Sequence, residues 1–328
     1  MPLIISVRLG QVQTPGATPV SVSQPVLTQE PLPKSAVTQV PPSSDEPEEK
    51  VVEGRVEDYS DREGYKSDFL GEFDIPLPEI QALQDILTFS EQNETRFVLR
   101  YQHFSVVMNA RRRMCFFSAV NLNGKESRRS KRGPWKTDPR IPKGTQIKDE
   151  CYGNPPKFSR GHMTRREDPA WGNEVEADLG NDDSMHVTNT VPQMQPFNAG
   201  IWLRLEDYAL DHSREDKMSI SVFTGPFFTK NDPVMYGVKI PTTFWKVIAF
   251  IHDETGKLSA TGYTISQRSY LQREEFTFGQ HETAQVSIRE IEQRAGLNFG
   301  PLREVDPFKR TTESVSTALT DFSQIRFV

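Results

Sequence analysis

The chain has 328 residues, 26% charged and 35% hydrophobic with 20 phenylalanines, enough for a sizeable core in one large domain or two medium ones. Its two cysteines, Cys115 and Cys151, come without a CxxC pair or a histidine at zinc-finger spacing; this argues against a disulfide framework or a structural zinc site and leaves one bridge or, as the favoured reading, two buried thiols. The net charge of −6 hides an asymmetry: Met1–Glu63 carries 5 basic and 10 acidic side chains, whereas Arg96–Arg166 carries 18 basic and 4 acidic, a cationic middle suited to a polyanion.

The opening "MPLIISVRLGQ" has too short an apolar run, and no small-residue cleavage site, for a secretory signal. No window approaches the ~20 apolar residues of a membrane span. The expectation is a cytoplasmic protein with no membrane partner. From about Gln11 the sequence is rich in Pro, Ser, Thr, Val and Glu, and no helical or strand period survives. Residues 1–63 therefore read as a disordered, acidic leader. Its end, "SSDEPEEKVVEGRVEDYSDRE", is either a solvated linker or a polyanion mimic lying in the basic cleft.

A folded domain is expected over 64–308, with a tail over 309–328. "LPEIQALQDILTFSEQ" puts Ile80, Leu83 and Leu87 at helical spacing after Pro78, which predicts an amphipathic helix. "RFVLRYQHFSVVMN" and "RMCFFSAVNLNG" predict paired strands. The polar run "KESRRSKRGPWKTDPRIPKGTQ" is expected on the surface. Within it and before it, Arg111–Arg113 and Arg128–Arg132 read as surface charge, a targeting or protease-sensitive tract, or cations tracking a phosphate backbone. "NPPKFSRGHMTRREDPAWG", Asn154–Gly172, then sets a lone histidine, His162, among arginines. "GNDDSMH" offers Asp182, Asp183 and His186 as metal ligands, though a surface turn is the preferred reading. Pro196 opens a helix predicted over about Asn198–Leu210, with Ile201, Leu205 and Tyr208 on its inner face and Glu206 about two turns past Asn198. Further strands are predicted at "MSISVFTGPFF", "TFWKVIAFIHD" and "KLSATGYTIS". A final helix, "SIREIEQRAG", has Ser287 and Glu290 as a capping box and Gly296 just past its end. Antiparallel strands with scattered helices give an α+β class.

Phosphodiester cleavage needs a base that accepts a proton near pH 7, a hard cation held by oxygen, and a guanidinium on the phosphate. His162, Asn198 with Glu206, and Arg160 are the residues whose chemistry fits. The segments "SRGH", "TNTVPQ", "FNAGIWLRLEDYA", "VFTGPFF", "IPTTFWKVI" and "LSATGYTISQ" resemble, in order and interval, those of the DNA/RNA non-specific endonucleases related to endonuclease G. The resemblance covers roughly Gly64–Phe308.

That resemblance implies a mainly antiparallel sheet around a ββα-metal (His-Me finger) core. It also implies a sugar-non-specific endonuclease that leaves 5′-phosphate and 3′-hydroxyl ends on DNA and RNA. By position, His162 falls on the general base and Arg160 on the arginine near the phosphate. Asn198 falls on the ligand of a single Mg²⁺, for which Mn²⁺ is the expected substitute. Glu206 falls on the holder of the metal's water shell, and Asn189 on the asparagine of the "TN" segment. The resemblance makes a homodimer an expectation. Restraint of such an enzyme calls for the leader, an inhibitor or an activating protease; a weakly catalytic nucleic-acid binder is the alternative. Two departures stand out. The motif's leading aspartate is Ser159, and the arginine that often follows the helix glutamate by four is Leu210, with Arg204 and Arg214 nearby in sequence.

Overall fold

The computed structural model describes residues 51–195, 213–215, 217–253, 255–271, 283–309 and 317–318. The chain divides into two units, Met1–Pro47 and Glu48–Val328, and every described residue belongs to the second. The helix expected at Asn198–Leu210, with Asn198, Arg204 and Glu206, lies outside the described residues, as does most of the leader.

In chain order the first strands are β1 (Val52–Glu53), β2 (Glu79–Ile80), β3 (Phe89–Glu91), β4 (Glu94–Arg96), β5 (Val98–Arg100), β6 (Phe104–Asn109), β7 (Met114–Asn123) and β8 (Lys136–Thr137). After them come β9 (Ser159–His162), helix α1 (Glu174–Ser184) and β10 (Thr190–Gln193). The remaining elements are β11 (Ser219–Pro226), β12 (Val234–Met235), β13 (Val238–Lys239), β14 (Thr243–Ile251), β15 (Leu258–Ser266), the single turn α2 (Arg268–Leu271), β16 (Ala284–Val286), α3 (Ile288–Ala295), β17 (Leu297–Asn298) and β18 (Thr317–Ala318).

Eight of these strands form one sheet in the order β18-β16-β15-β14-β11-β7-β6-β5, antiparallel throughout. Both faces are covered, and the period-2 alternation of the long strands feeds two cores. Ile220 and Val222 of β11 with Phe244 and Ile248 of β14 point to one. Phe223 with Trp245, Val247 and Ala249 points to the other. Each fully buried Phe or Ile contributes about 1.5–3 kcal/mol, so the long central strands carry most of the stability. The second core is closed by α3, where the Ser287 side chain accepts from Glu290 N and Gly296 takes a left-handed φ of 66°. The first core is closed by β9, β10 and the loops around them. The class is α+β.

Several sequence expectations change. No α-helix forms over 80–87, only a single 3-10 turn at Leu83–Asp85: Ile80 pairs as a strand with Leu297, Leu87 N bonds to Met108 O, and Leu83 is 70% exposed. The helical spacing is coincidental, because the three apolar side chains do not share a face: Ile80 is buried by a strand partner while Leu83 faces solvent. The folded body also reaches further back than Gly64. Val52–Glu53 pairs with Lys136–Thr137 in parallel, and Tyr59 and Arg62 are buried. The stretch 51–63 is therefore part of the fold rather than a solvated linker. At the other end, β18 adds an edge strand from the expected tail. The polar run around Trp135 is not simply superficial, since Trp135, Asp138, Arg140, Ile141 and Gln146 are buried. Cys115 and Cys151 are free and buried, and burial pushes the Cys115 thiol up to about 12. No described helix is long and apolar enough to cross a membrane.

Candidate active site

The site is built on the two-stranded antiparallel ribbon β9–β10, in which Thr190 faces His162, Val191 faces Gly161, Pro192 faces Arg160 and Gln193 faces Ser159. Alternation puts Arg160 and His162 on one face and Ser159 and Gly161 on the other. Gly161 is required here. A Cβ on it would lie 2.0 Å from Gln193 Oε1 and 2.1 Å from Gln193 Cδ, and Gln193 is wholly buried. Ser159 lies three residues from His162 and so projects from the opposite face. The motif's first residue can support the ribbon but does not orient the imidazole directly.

His162 is half-buried, and its ring centroid lies 4.9 Å from that of Trp135. Its Nε2 is buried with no hydrogen-bond partner. Burial first, then the charges of Arg132, Arg166 and Arg165, hold the imidazole below its usual 6.5, at about 3. The ring is therefore neutral throughout the physiological range, with a bare nitrogen ready to accept a proton. An anion entering among the three guanidiniums would offset their charge and raise that value.

Trp135 is the feature that sequence reasoning passed over. Its indole has Arg132 at 5.6 Å and Arg160 at 5.5 Å from the ring centroid, beside its contact with His162. The available signal was a single tryptophan inside an otherwise polar run. Arg160 also lies over Tyr152, at 5.1 Å, and pairs with Asp149. Tyr152 in turn shares a hydrogen bond with Thr190, the residue opposite His162. Gln193 is a second residue the sequence did not single out: both its amide atoms are buried without a partner.

Asn189, the candidate from the "TN" segment, is wholly buried next to the ribbon. Its Oδ1 accepts from Thr164 N, and its Nδ2 donates to the carbonyls of Thr164 and Ser184, at 2.8–2.9 Å. Its own carbonyl accepts from Met163 N. With all these bonds made to main chain, Asn189 braces the two residues that follow His162 and is a positioning residue. Ser118 and Thr164 add a hydroxyl contact of 2.6 Å to the same brace.

Other candidates are spent elsewhere. Arg112 pairs with buried Asp232 and the Thr229 carbonyl and Arg113 donates to Gln146 O, so these two tie the turn to its neighbours, whereas Arg111, paired with Asp85, keeps most of its side chain at the surface. Arg128 donates to Gly172 O, while Arg166 holds the same loop through Ser130 O. Arg214 pairs with Glu167. "GNDDSMH" is no surface turn: it ends α1, with Asp183 and His186 buried in hydrogen bonds.

Among the described residues no group of three His, Cys, Asp or Glu side chains could hold a metal ion. A carboxylate cage is thus not what the described part offers. One amide oxygen and one carboxylate, from Asn198 and Glu206, would instead suit a hydrated hard cation that keeps most of its waters. Among the described residues, both amide atoms of Gln193, Nε2 of His162 and Nε of Arg160 are the buried side-chain polar atoms of the ribbon that lack a hydrogen-bond partner.

With this ribbon and sheet in place, the chain's relatives can be stated. It belongs to the DNA/RNA non-specific endonuclease family, which it matches over residues 86–305. It is 39% identical over 262 residues to an uncharacterized protein, y4fB, of Sinorhizobium fredii, a match covering 74% of this chain and 39% of that protein. It is 27% identical to the mitochondrial nuclease EXOG of Danio rerio, over 62% of this chain and 60% of the relative. The EXOG of Mus musculus is also 27% identical, over 51% and 46%. The chain thus spans between about two fifths and three fifths of these relatives' lengths. A chain in the crystal structure of the EndoG/EndoGI complex shares the fold, with a TM-score of 0.50 and 20% identity over 62% of this chain and 86% of that one.

Proposed function

We propose that this protein is a metal-dependent endonuclease that hydrolyses phosphodiester bonds of DNA and RNA without base specificity. β9 and β10 would be the two strands of a ββα-metal finger, with the helix expected from Asn198 as its third element. The observation that carries the reading is the buried Nε2 of His162, without a hydrogen-bond partner among the described residues, beside Trp135 and near the charges of Arg132, Arg165 and Arg166, which with burial hold its pKa down. Family membership and the cationic middle of the chain support the same substrate.

In this mechanism the guanidiniums of Arg132 and Arg160 hold the scissile phosphate through charge-assisted hydrogen bonds. Arg160 would do so by exchanging Asp149 for the substrate. Nε2 of His162 takes a proton from a water molecule whose oxygen attacks phosphorus. The P–O3′ bond breaks, leaving a 5′-phosphate and a 3′-oxygen that is protonated from solvent. Asn198 would hold a hydrated Mg²⁺, or Mn²⁺ in its place, through its side-chain oxygen, with Glu206 on the water shell. When bound, that cation offsets charge on the phosphate and on the leaving oxygen. The Trp135 ring excludes bulk water from one side of the imidazole and keeps its plane fixed.

The test is cleavage of supercoiled plasmid DNA and of a structured RNA with Mg²⁺, with Mn²⁺ and with EDTA. Cleavage of both substrates with either metal and none with EDTA is expected. Binding without cleavage under every condition would instead mark a nucleic-acid-binding protein.

A further inference from the structure

Residues 52–62 touch both walls of the site. Val52 N donates to the Trp135 carbonyl at 2.8 Å, and β1 runs parallel to β8, which begins at the next residue, Lys136. Seven residues beyond Val52, the ring of Tyr59 is buried and its hydroxyl meets His186 Nε2 at 2.6 Å. The other ring nitrogen of His186 lies 2.6 Å from the Asp183 carbonyl and donates to it. That bond fixes the tautomer, so Nε2 accepts a hydrogen bond from the Tyr59 hydroxyl. Arg62 Nε then donates to the Asp183 carboxylate at 2.7 Å, and the same oxygen accepts from Gln102 N. The His186 carbonyl accepts from Asn189 N, and Asn189 braces Met163 and Thr164 beside His162. Arg140, held by Asp138, covers the Tyr59 ring at 4.3 Å.

We infer that residues 52–62 are a strap that sets the spacing between the Trp135 wall and the His162 wall, with Val52 and Tyr59 as positioning residues for the reaction. The two walls belong to different stretches of chain. The strap bonds to the main chain of one at Trp135 and, through Tyr59 and His186, to the turn that carries Asn189 on the other. Lys136 N also bonds to Met185 O beside the same turn, so releasing the strap leaves the eight-stranded sheet and that bond in place but removes two of the ties that fix Trp135 relative to His162. The functional unit therefore begins at Val52, and the part of the acidic segment that looked like linker is a working element of the site. This rests on His162 being the base, and the experiment separates the two ideas.

Val52 is exposed, so Val52→Pro in the full chain removes one N–H without opening the core. Tyr59→Phe removes only the hydroxyl. For both, kcat and KM on plasmid DNA are measured beside the indole N–H resonance of Trp135, assigned by its loss in Trp135→Phe. The expected result is a fall in kcat of about tenfold with KM within twofold. The Trp135 resonance should shift or broaden while those of Trp171 and Trp245 stay in place. Wild-type kcat in both variants, or an unmoved Trp135 resonance in a folded variant, overturns the strap. If the wild-type protein cleaves nothing, the nuclease reading fails, and the Trp135 resonance alone still decides whether the strap positions that wall.

Discussion

Trp135, just before β8, and His162, at the end of β9, come from separate stretches of chain, yet their rings lie 4.9 Å apart with a 32° tilt, and the guanidiniums of Arg132 and Arg160 lie against the indole. The contact gives the His162 imidazole unusual surroundings for the base it is proposed to be. One face is dry and apolar, the surroundings are cationic, and Nε2 is left without a partner. A histidine in water would be partly protonated near neutrality; this one is not.

Replacing His162 with Ala removes the proton acceptor. Nicking of plasmid DNA should fall by roughly 10²–10⁴-fold, while affinity for DNA stays within about threefold, because the arginines hold the phosphates. A gel assay paired with a binding titration checks both halves. Full cleavage by the variant would move the base elsewhere.

The pH dependence of stability carries the same signature. The imidazole titrates at about 3 in the folded protein and near 6.5 when unfolded, so between those values the unfolded chain binds more protons. Stability from this group is complete above pH 6.5 and is lost as pH falls toward 3, with a slope approaching about 1.4 kcal/mol per pH unit. Buried His186, whose value is also lowered by burial, acts in the same direction. Urea melts of wild type and His162→Ala at pH 7, 6 and 5 should therefore diverge, the wild type losing more stability on acidification.

Trp135→Phe keeps an aromatic face but shortens it. The expected loss is about tenfold in kcat, with aromatic contact energy of about 0.5–1.5 kcal/mol at stake, and the melting temperature should change little. Trp135→Ala opens a buried cavity and should cost about 3–5 kcal/mol in stability as well. Comparing the two by thermal melts and kinetics separates platform from packing.

Asn189→Ala leaves Thr164 N and two carbonyls without their side-chain partner. A stability loss of about 1–3 kcal/mol is expected, together with reduced kcat. Because Asn189 acts through the loop after His162, Asn189→Asp should not rescue it: a carboxylate can accept from Thr164 N but cannot donate to the two carbonyls. Melting temperatures and kcat of both variants settle this.

Gly161→Ala should be disruptive although the change is one methyl group. The new Cβ meets buried Gln193 inside van der Waals distance, which predicts a cost of about 1–3 kcal/mol. Gln193→Ala in the same chain should recover part of that loss in a denaturation experiment.

Much of this architecture was legible before any coordinates. The β6, β7, β11, β14 and β15 strands announce themselves by dense β-branched and aromatic runs, and α3 by its cap and its glycine. The α+β class followed from them. What misled was spacing without a partner. Ile80, Leu83 and Leu87 carry a helical period, but Ile80 is claimed by Leu297 and Leu83 by solvent. The acidic stretch before Gly64 looked soluble, because nothing local reveals that Tyr59 will meet His186 and Arg62 will meet Asp183.

The sequence by itself determined the chemistry on offer: a histidine in "SRGH", arginines around it and the segments of one nuclease family. Those depend on residue identity and short-range order, which a linear pattern preserves. Only the tertiary structure decided that Trp135 floors the site, that Asn189 braces it and that the strap at 52–62 holds its walls. It also showed Arg112 and Arg113 bonded to Asp232 and to the Gln146 carbonyl. Each of these rests on contacts between residues far apart in the chain, where burial and the partner at hand set both the charge of a side chain and its use.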